Sequence, residues 1–372
     1  MRNKSVAVLD IRSGEICAVI AEKGVNNTFI IKSKYSVEYD GYAEGELLDV
    51  AGFIAAVRNV VDSALSSVNG LVKQFYVSIP AEFTETVTTD KVITFNNAQK
   101  ITAKHIDTLT SVSIPEVGEE NRVIGCGALY YILSDKRKVS DPLGVISDSL
   151  RAGMSFFVCK TNFLECIESA FDAFPSVRVF HWVAQSFALS QYLLEPEKRE
   201  GYSVLLDLGY ISSVFNVVCG NGIAYSEPFS VGIGHIALLL SDALDIPFDA
   251  AKELLGKVNL NAKEGVTSYV ECEIDGVTRT YSEPQLRDLI RDGLDGICEM
   301  IEACRQSFPI KDLTAVPIHV SGEGVVAIRG TIEHISSRLV TPVDVVVPKV
   351  PYYDKPQFAS LFSLLNAALG DN

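Results

Sequence analysis

A block made of strand, aspartate, turn, strand, hairpin turn and strand occurs twice in this 372-residue chain. The predicted strands of the first copy are residues 5–10, 16–22 and 28–33, and those of the second copy are residues 203–207, 213–218 and 223–228. Asp10 and Asp207 end the first strand of their copies and lie 197 positions apart. Two such blocks predict two related α/β halves that face a shared cleft.

The repeat also indicates a ligand that both halves hold. Each half offers one carboxylate and one turn, and turns bind phosphate through backbone N–H groups while carboxylates hold hydrated Mg²⁺. A nucleotide with its Mg²⁺ is therefore the natural candidate, with Asp10 and Asp207 as the metal-binding carboxylates. The alternative is that both aspartates are ordinary strand ends, which many α/β proteins contain.

The composition excludes several other classes of protein. With 48% hydrophobic and 21% charged residues the chain is typical of globular proteins, and its net charge of -15 makes nucleic acid an unfavourable partner. The eight cysteines have no CxxC spacing and lie apart from the histidines, so we expect neither a zinc site nor a disulfide framework. No run reaches the roughly 18 apolar residues of a membrane span, and the N-terminus lacks a signal-peptide core. We expect a cytoplasmic protein.

Four regions follow from the predicted elements. They are a first half (1–81 and 162–199), an inserted α+β subdomain (82–161), a second half (200–246 and 306–372) and a mostly helical lid (247–305). Asp49 is a predicted helix N-cap, and Ser282 begins a capping-box pattern before a long amphipathic helix. A buried helix is expected to close the chain at 358–369.

The duplicated block, the insertion and a late glycine-containing turn together resemble the actin-like ATPase superfamily, and more narrowly the bacterial cell-division family FtsA. The segments 45–79, 121–169 and 356–365 follow the FtsA pattern. The resemblance implies an α/β fold of two duplicated, ribonuclease-H-like halves around a cleft. The pilus-assembly family PilM is the second family that the chain resembles.

The resemblance assigns the nucleotide-binding positions to three loops: Asp10, Arg12 and Ser13 in the first, Asp207, Gly209 and Ser212 in the second, and Gly322 and Gly324 in the adenosine loop. Each loop departs from the family pattern. In the first, Arg12 replaces a glycine and Glu15 replaces a lysine.

The other nucleotide-binding segments are altered as well. In the second loop Tyr210 and Ile211 replace glycines and Val214 replaces the closing aspartate, while Glu323 replaces a glycine in the adenosine loop. The family helix Ala-Glu-x-x-Lys aligns with 250–254, where both polar contacts are lost; a shifted register places Glu253 and Lys257 there instead.

Four altered segments predict a protein that binds ATP and Mg²⁺ weakly or not at all, and hydrolysis is less expected still. Each intruding side chain or unpaired carboxylate costs on the order of 1–3 kcal/mol. The Arg12 guanidinium is expected to lie between Asp10 and Asp207 and to supply the charge balance of Mg²⁺-nucleotide. The alternative is that Arg12 points into solvent.

The resemblance further implies a cytoskeletal scaffold at the division site, with FtsZ or another FtsA-like subunit as partner and with a homo-oligomer or filament as its assembly. The chain stops after the closing helix, so we expect no direct membrane anchor and recruitment to the inner membrane face through a partner. An active actin-like ATPase, a PilM-like pilus protein and a dinucleotide-binding enzyme remain alternatives. The last depends on the G-x-G-x-x-A match at 322–327.

Overall fold

The computed structural model describes residues 5–24, 28–68, 72–262, 268–310 and 312–370. Two compact units emerge from the contacts within the chain. The first comprises Met1–Ser203, Asn216–Ser226 and Ser360–Asn372, and the second comprises Val204–Phe215 and Glu227–Ala359. Residues 25–27, which belong to the hairpin turn predicted between the second and third strands of the first copy, lie outside the described residues.

The first copy of the repeat forms the main sheet of the first unit. Its elements up to the insertion are β1 (Ser5–Ile11), β2 (Glu15–Lys23), β3 (Phe29–Glu38), β4 (Tyr42–Ala43), β5 (Glu46–Leu47), α1 (Val50–Ser66) and β6 (Gln74–Ile79). Asp49 accepts a hydrogen bond from the Gly52 N–H and so caps α1, as predicted. The apolar face of α1 buries Phe53, Val57 and Val61 against the sheet.

The insertion is an α+β subdomain, as predicted from its strand and helix patterns. It contains β7 (Thr84–Lys100), α2 (Ala103–Ser113), β8 (Asn121–Leu133), β9 (Lys138–Val139) and β10 (Ile146–Lys160). The strands form an antiparallel sheet in the order β7-β10-β8-β9. Leu109 of α2 belongs to a separate small core with Leu133, Leu150 and Phe156 of this sheet.

The chain then returns to the main sheet through α3 (Thr161–Phe171), β11 (Val179–Ala184) and α4 (Gln185–Leu193). The completed sheet has the order β11-β6-β1-β2-β3, in which β1 lies antiparallel to β2 and parallel to β6. Because β1 is the central strand, Asp10 near its end is buried on both sides.

The second copy repeats this order. Its elements are β12 (Ser203–Leu208), β13 (Ser213–Cys219), β14 (Gly222–Phe229), α5 (Ile233–Leu244), α6 (Phe248–Lys257), β15 (Tyr269–Ile274), β16 (Val277–Ser282), α7 (Glu283–Ser307), β17 (Ile318–Ser321), α8 (Gly324–Ala327), α9 (Thr331–Leu339), β18 (Val343–Val345) and α10 (Ala359–Gly370). The sheet order β14-β13-β12-β17-β18 places the first strand of the block in the centre again, parallel to the strand beside it. The duplication read from the sequence is therefore a duplication of topology.

Two features of the predicted lid, 247–305, were not expected from the sequence. Helices α6 and α7 cover more than half of it, but β15 and β16 also form a hairpin around the Asp275-Gly276 turn, where both residues have positive φ. The capping box does not form: Ser282 ends β16 and its side chain makes no cap hydrogen bond to α7. The long helix itself is present.

The closing helix α10 is buried as predicted, but it lies in the first unit, whereas the sequence placed 306–372 with the second half. The helix belongs to the first unit because its apolar residues pack there: the Phe362 ring lies edge-on against Phe29 of β3, with ring centroids 5.3 Å apart. Ser360 near its start reaches Asp10.

Candidate functional site

The first predicted loop is a tight turn between β1 and β2. Ile11 and Ile16 are the last cross-strand pair, and the Arg12 N–H donates to the Glu15 carbonyl over 3.0 Å. This turn contains Asp10, Arg12 and Ser13, the three residues that the sequence assigned to the first loop. Asp10 has no exposed surface, Ser13 is buried and the Arg12 side chain is 17% exposed.

Arg12 folds back onto its own turn. Its Nε lies 3.3 Å from Oδ2 of Asp10, and its guanidinium also contacts the carboxylate of Glu15. The expectation that Arg12 points into solvent is therefore wrong. Its pairing with Asp10 is present, whereas the predicted second partner, Asp207, belongs to the other unit and stays a prediction.

Two serines bind the other carboxylate oxygen of Asp10, and a glutamine supports one of them. Ser360 and Ser78 both donate to Oδ1 of Asp10, over 2.6 and 3.0 Å, and Ser78 also accepts from the Ile11 N–H. Gln185, the first residue of α4, donates its amide to the Ser360 hydroxyl over 2.8 Å. Ser78, Gln185 and Ser360 were not predicted as site residues, and their only signal in the sequence is a polar residue beside or within an apolar strand or helix.

The electrostatics of Asp10 follow from this setting. Burial raises the pKa of its carboxyl above the ordinary value of 3.8, while the charge of Arg12 and the hydrogen bonds from Ser360 and Ser78 lower it, and the Glu15 charge raises it. Both hydroxyls bond Oδ1 of Asp10, whereas Oδ2 is buried without a hydrogen-bond partner and faces the Arg12 guanidinium. A hydrated Mg²⁺ at this carboxylate would therefore have to displace that guanidinium.

The second predicted loop joins β12 to β13 and contains Asp207, Gly209 and Ser212. Two of its carbonyl groups accept hydrogen bonds from the start of α5. The Ile233 N–H donates to the Gly209 carbonyl over 3.1 Å, and the Gly234 N–H donates to the Tyr210 carbonyl over 2.8 Å. Tyr210 and Ile211 both avoid positive φ. The loop thus accommodates these side chains without the left-handed conformation for which glycine is suited.

Tyr210 fills the space beside this loop. The Lys252 ammonium lies 5.1 Å from the centre of its ring, within the range of a cation–π contact. Val214, which replaces the family's closing aspartate, is buried within β13. Glu253 and Lys257, the alternative ribose-binding pair, form an ion pair with each other on α6.

The adenosine loop lies close to the second loop. Ser321 and Asp207 are register partners in the parallel pair β17–β12. Gly322 has φ +100°, and a Cβ there would lie 2.5 Å from Oδ1 of Asp207; a Cβ on Gly324 would lie 2.6 Å from the Leu208 side chain. Both glycines are required for this approach.

The described residues contain no group of three or more His, Cys, Asp or Glu side chains that would hold a metal ion. None of the helices in the described ranges combines the length and the apolar character needed to cross a membrane.

Solved structures with the same fold cover nearly the whole chain. The type IV pilus biogenesis complex PilM–PilN matches with a TM-score of 0.64 and 13% identity over 98% of both chains. MreB5 of Spiroplasma citri bound to AMPPNP matches with a TM-score of 0.57 and 8% identity over 100% of this chain and 98% of that one. The chain therefore has the actin-like ATPase fold, which leaves the dinucleotide-binding fold without support.

The curated relatives are cell-division proteins. FtsA of Helicobacter pylori (strain J99) is 24% identical over 278 residues, which are 68% of this chain and 56% of that protein. FtsA of Pseudomonas aeruginosa (strain PAO1) is 19% identical over 357 residues, or 92% of this chain and 84% of that protein. No family model matches the chain. The chain is thus similar to FtsA proteins at low identity, and the Helicobacter match spans little more than half of that relative.

Proposed function

We propose that this chain is a cytoplasmic, FtsA-like scaffold of bacterial cell division that acts through protein–protein contacts and does not depend on bound ATP. Its curated relatives are named as cell-division proteins, and this supports a role at the division site. FtsZ or a second FtsA-like subunit is the proposed partner.

The observation that carries the proposal is the ion pair between Arg12 and Asp10. In a nucleotide-binding loop the carboxylate must be free to face a hydrated cation. Here it is fully buried, 3.3 Å from a guanidinium of the same turn, and it also accepts hydrogen bonds from Ser78 and Ser360. Because Oδ1 holds both hydrogen bonds, Mg²⁺ could reach only Oδ2, and this would require the breaking of the ion pair with Arg12.

The second loop supports the same conclusion independently. The carbonyls of Gly209 and Tyr210 bond to the first turn of α5, and the Tyr210 ring packs beside Gly234 and Lys252. Glycines that let phosphate approach the backbone are replaced here by side chains that occupy the space. Two separately altered loops favour loss of nucleotide binding over a single tolerated change.

The test is calorimetric titration of the intact chain with Mg-ATP at millimolar concentrations, with Mg-ADP and Mg²⁺ alone as controls. We expect no saturable heat and an unchanged melting temperature, because a ligand at 100 times its Kd would stabilise the fold by about 2.7 kcal/mol. Micromolar binding would overturn the proposal and favour an active ATPase. A fluorescent fusion is expected at the division site, and a uniform distribution would contradict the scaffold role.

A further inference from the structure

The edge strand β7 of the insertion is long and open on one side. It spans Thr84–Lys100 and lies at the end of its sheet, and within the described residues it pairs with β10 alone. The pairing is regular from Thr84 to Thr94, after which the register shifts. An open edge offers unpaired backbone N–H and C=O groups to another strand.

The regular part of β7 contains charged residues, which protect many open edges, but neither a proline nor a bulge. Residues 84–94 contain neither proline nor glycine, and they are rich in threonine and valine, which favour strands. Val92 at its outer end is 56% exposed. A strand of this composition is suited to pair with a further strand.

The charged residues of β7 indicate which strand could pair with its open edge. Glu85 and Lys91 are both exposed, and neither has an ion-pair partner among the described residues. Asp90, in contrast, is already paired with Arg151 and accepts from the Tyr130 hydroxyl. Glu85 and Lys91 are six positions apart, so both lie on the same face of the strand.

We propose that β7 pairs antiparallel with β7 of a second copy of this chain, with Thr88 on the twofold axis. Opposed residues in a symmetric antiparallel pair share a face, and in this register Glu85 lies opposite Lys91 of the second copy, twice per dimer. Thr88 then faces Thr88 of the second copy, and threonine pairs across strands are favourable. No two like charges face each other between residues 84 and 92.

The charge distribution of the chain favours self-association at this subdomain. The whole chain has a net charge of -15, which opposes contact between most surfaces of two copies. The insertion 82–161 contains ten acidic and nine basic residues and is therefore nearly neutral. The inference rests on the proposed scaffold function, because it names one contact of that scaffold.

Charge reversal tests the pairing by sedimentation of the intact chain over a concentration series. Glu85→Lys and Lys91→Glu each place like charges opposite one another twice, and each is expected to raise the dimer Kd about tenfold. The double variant Glu85→Lys/Lys91→Glu restores opposite charges and is expected to return the Kd to the wild-type value. A wild-type chain that stays monomeric would overturn the proposal. So would a double variant whose dimer Kd is as high as that of the single variants.

Cysteine cross-linking tests the register. Thr88→Cys places two thiols across the axis, within about 5 Å between Cβ atoms, and is expected to form a disulfide dimer under mild oxidation. Val92→Cys is the matched control, because its two copies would lie about 27 Å apart and should not react beyond the wild-type background. Equal cross-linking of both variants would overturn the register. Mg-ATP binding reports separately on the proposed function, so the two ideas can fail independently.

Discussion

The two residues of the first loop that depart from the FtsA pattern, Arg12 and Glu15, form an ion pair with each other. Glycine and lysine are expected at these positions in FtsA-like proteins, and the chain has arginine and glutamate. The Arg12 guanidinium lies between the carboxylates of Asp10 and Glu15, so the second replacement supplies a partner for the first. The turn therefore neutralises Asp10 with a residue of the chain itself.

Replacement of Arg12 by glycine is expected to destabilise the protein at neutral pH by about 2–4 kcal/mol, since it leaves Asp10 buried without its counter-charge. Burial already raises the pKa of Asp10 above 3.8, and loss of Arg12 raises it further. As the pH falls through that raised pKa, protonation removes the buried charge of Asp10. The difference in melting temperature between Arg12→Gly and wild type should therefore narrow. Melting temperatures measured from about pH 8 to 5 check this.

The control for Arg12→Gly is Arg12→Lys, which keeps the positive charge and should lose less stability at pH 7. An unchanged or raised melting temperature of Arg12→Gly would contradict the role assigned to the ion pair. So would a difference from wild type that widens on acidification.

At the scale of elements, the hairpin between β13 and β14 is held within the first unit by hydrogen bonds from backbone and side-chain groups. The Asn221 N–H donates to the Ala128 carbonyl of β8 over 2.8 Å, and the buried Arg199 donates to the Gly220 carbonyl over 2.7 Å and to the Asn221 side chain over 2.8 Å. The hairpin approaches so closely that Gly127 of β8 has no room for a side chain.

The variant Gly127→Ala tests this packing, and Gly125→Ala on the same strand is its control. A Cβ at Gly127 would lie 2.0 Å from the Asn221 carbonyl oxygen, whereas a Cβ at Gly125 meets its nearest atom, in the Phe157 ring, at 3.4 Å. We expect Gly127→Ala to cost about 2–3 kcal/mol and Gly125→Ala to stay within about 0.5 kcal/mol of wild type. Thermal denaturation of both variants measures this, and equal melting temperatures would disprove the close approach.

At the scale of the whole molecule, charge is the dominant long-range term. A net charge of -15 destabilises the folded chain through repulsion between like charges, because the unfolded chain spreads them further apart. The nearly neutral insertion is the exception, and for that reason we place the contact between copies there.

Added salt is therefore expected to stabilise the protein. Raising the ionic strength from about 0.01 to 0.15 M shortens the screening length from about 30 to 8 Å and should raise the melting temperature by roughly 1–3 °C. Calorimetry at pH 7 measures the shift, which should disappear near the pI of about 4.8. A melting temperature that falls with salt would mean that attractive ion pairs outweigh the repulsion.

Local patterns were sufficient to predict the repeat, the central strands β1 and β12, the α+β insertion and the helices α1, α7 and α10. Each depends on residues close in sequence, such as an apolar run that ends at Asp10 or Asp207, or a cap such as Asp49 before an amphipathic stripe. The hairpin β15–β16 also had a local signal, the Asp275-Gly276 turn, but the short strands lie among stronger helical patterns.

The contacts around Asp10 were decided by the tertiary structure. Ser360 is 350 positions from Asp10, and Ser78 is 68 positions away, so no local pattern connects them. Their meeting depends on the apolar face of α10, whose burial brings a hydroxyl into the first unit beside β1. Periodicity predicts which face of an element is apolar, because that depends on neighbours along the chain. The burial of that face also brings certain polar groups together. Their identity depends on packing between distant segments, so only the folded molecule determines it.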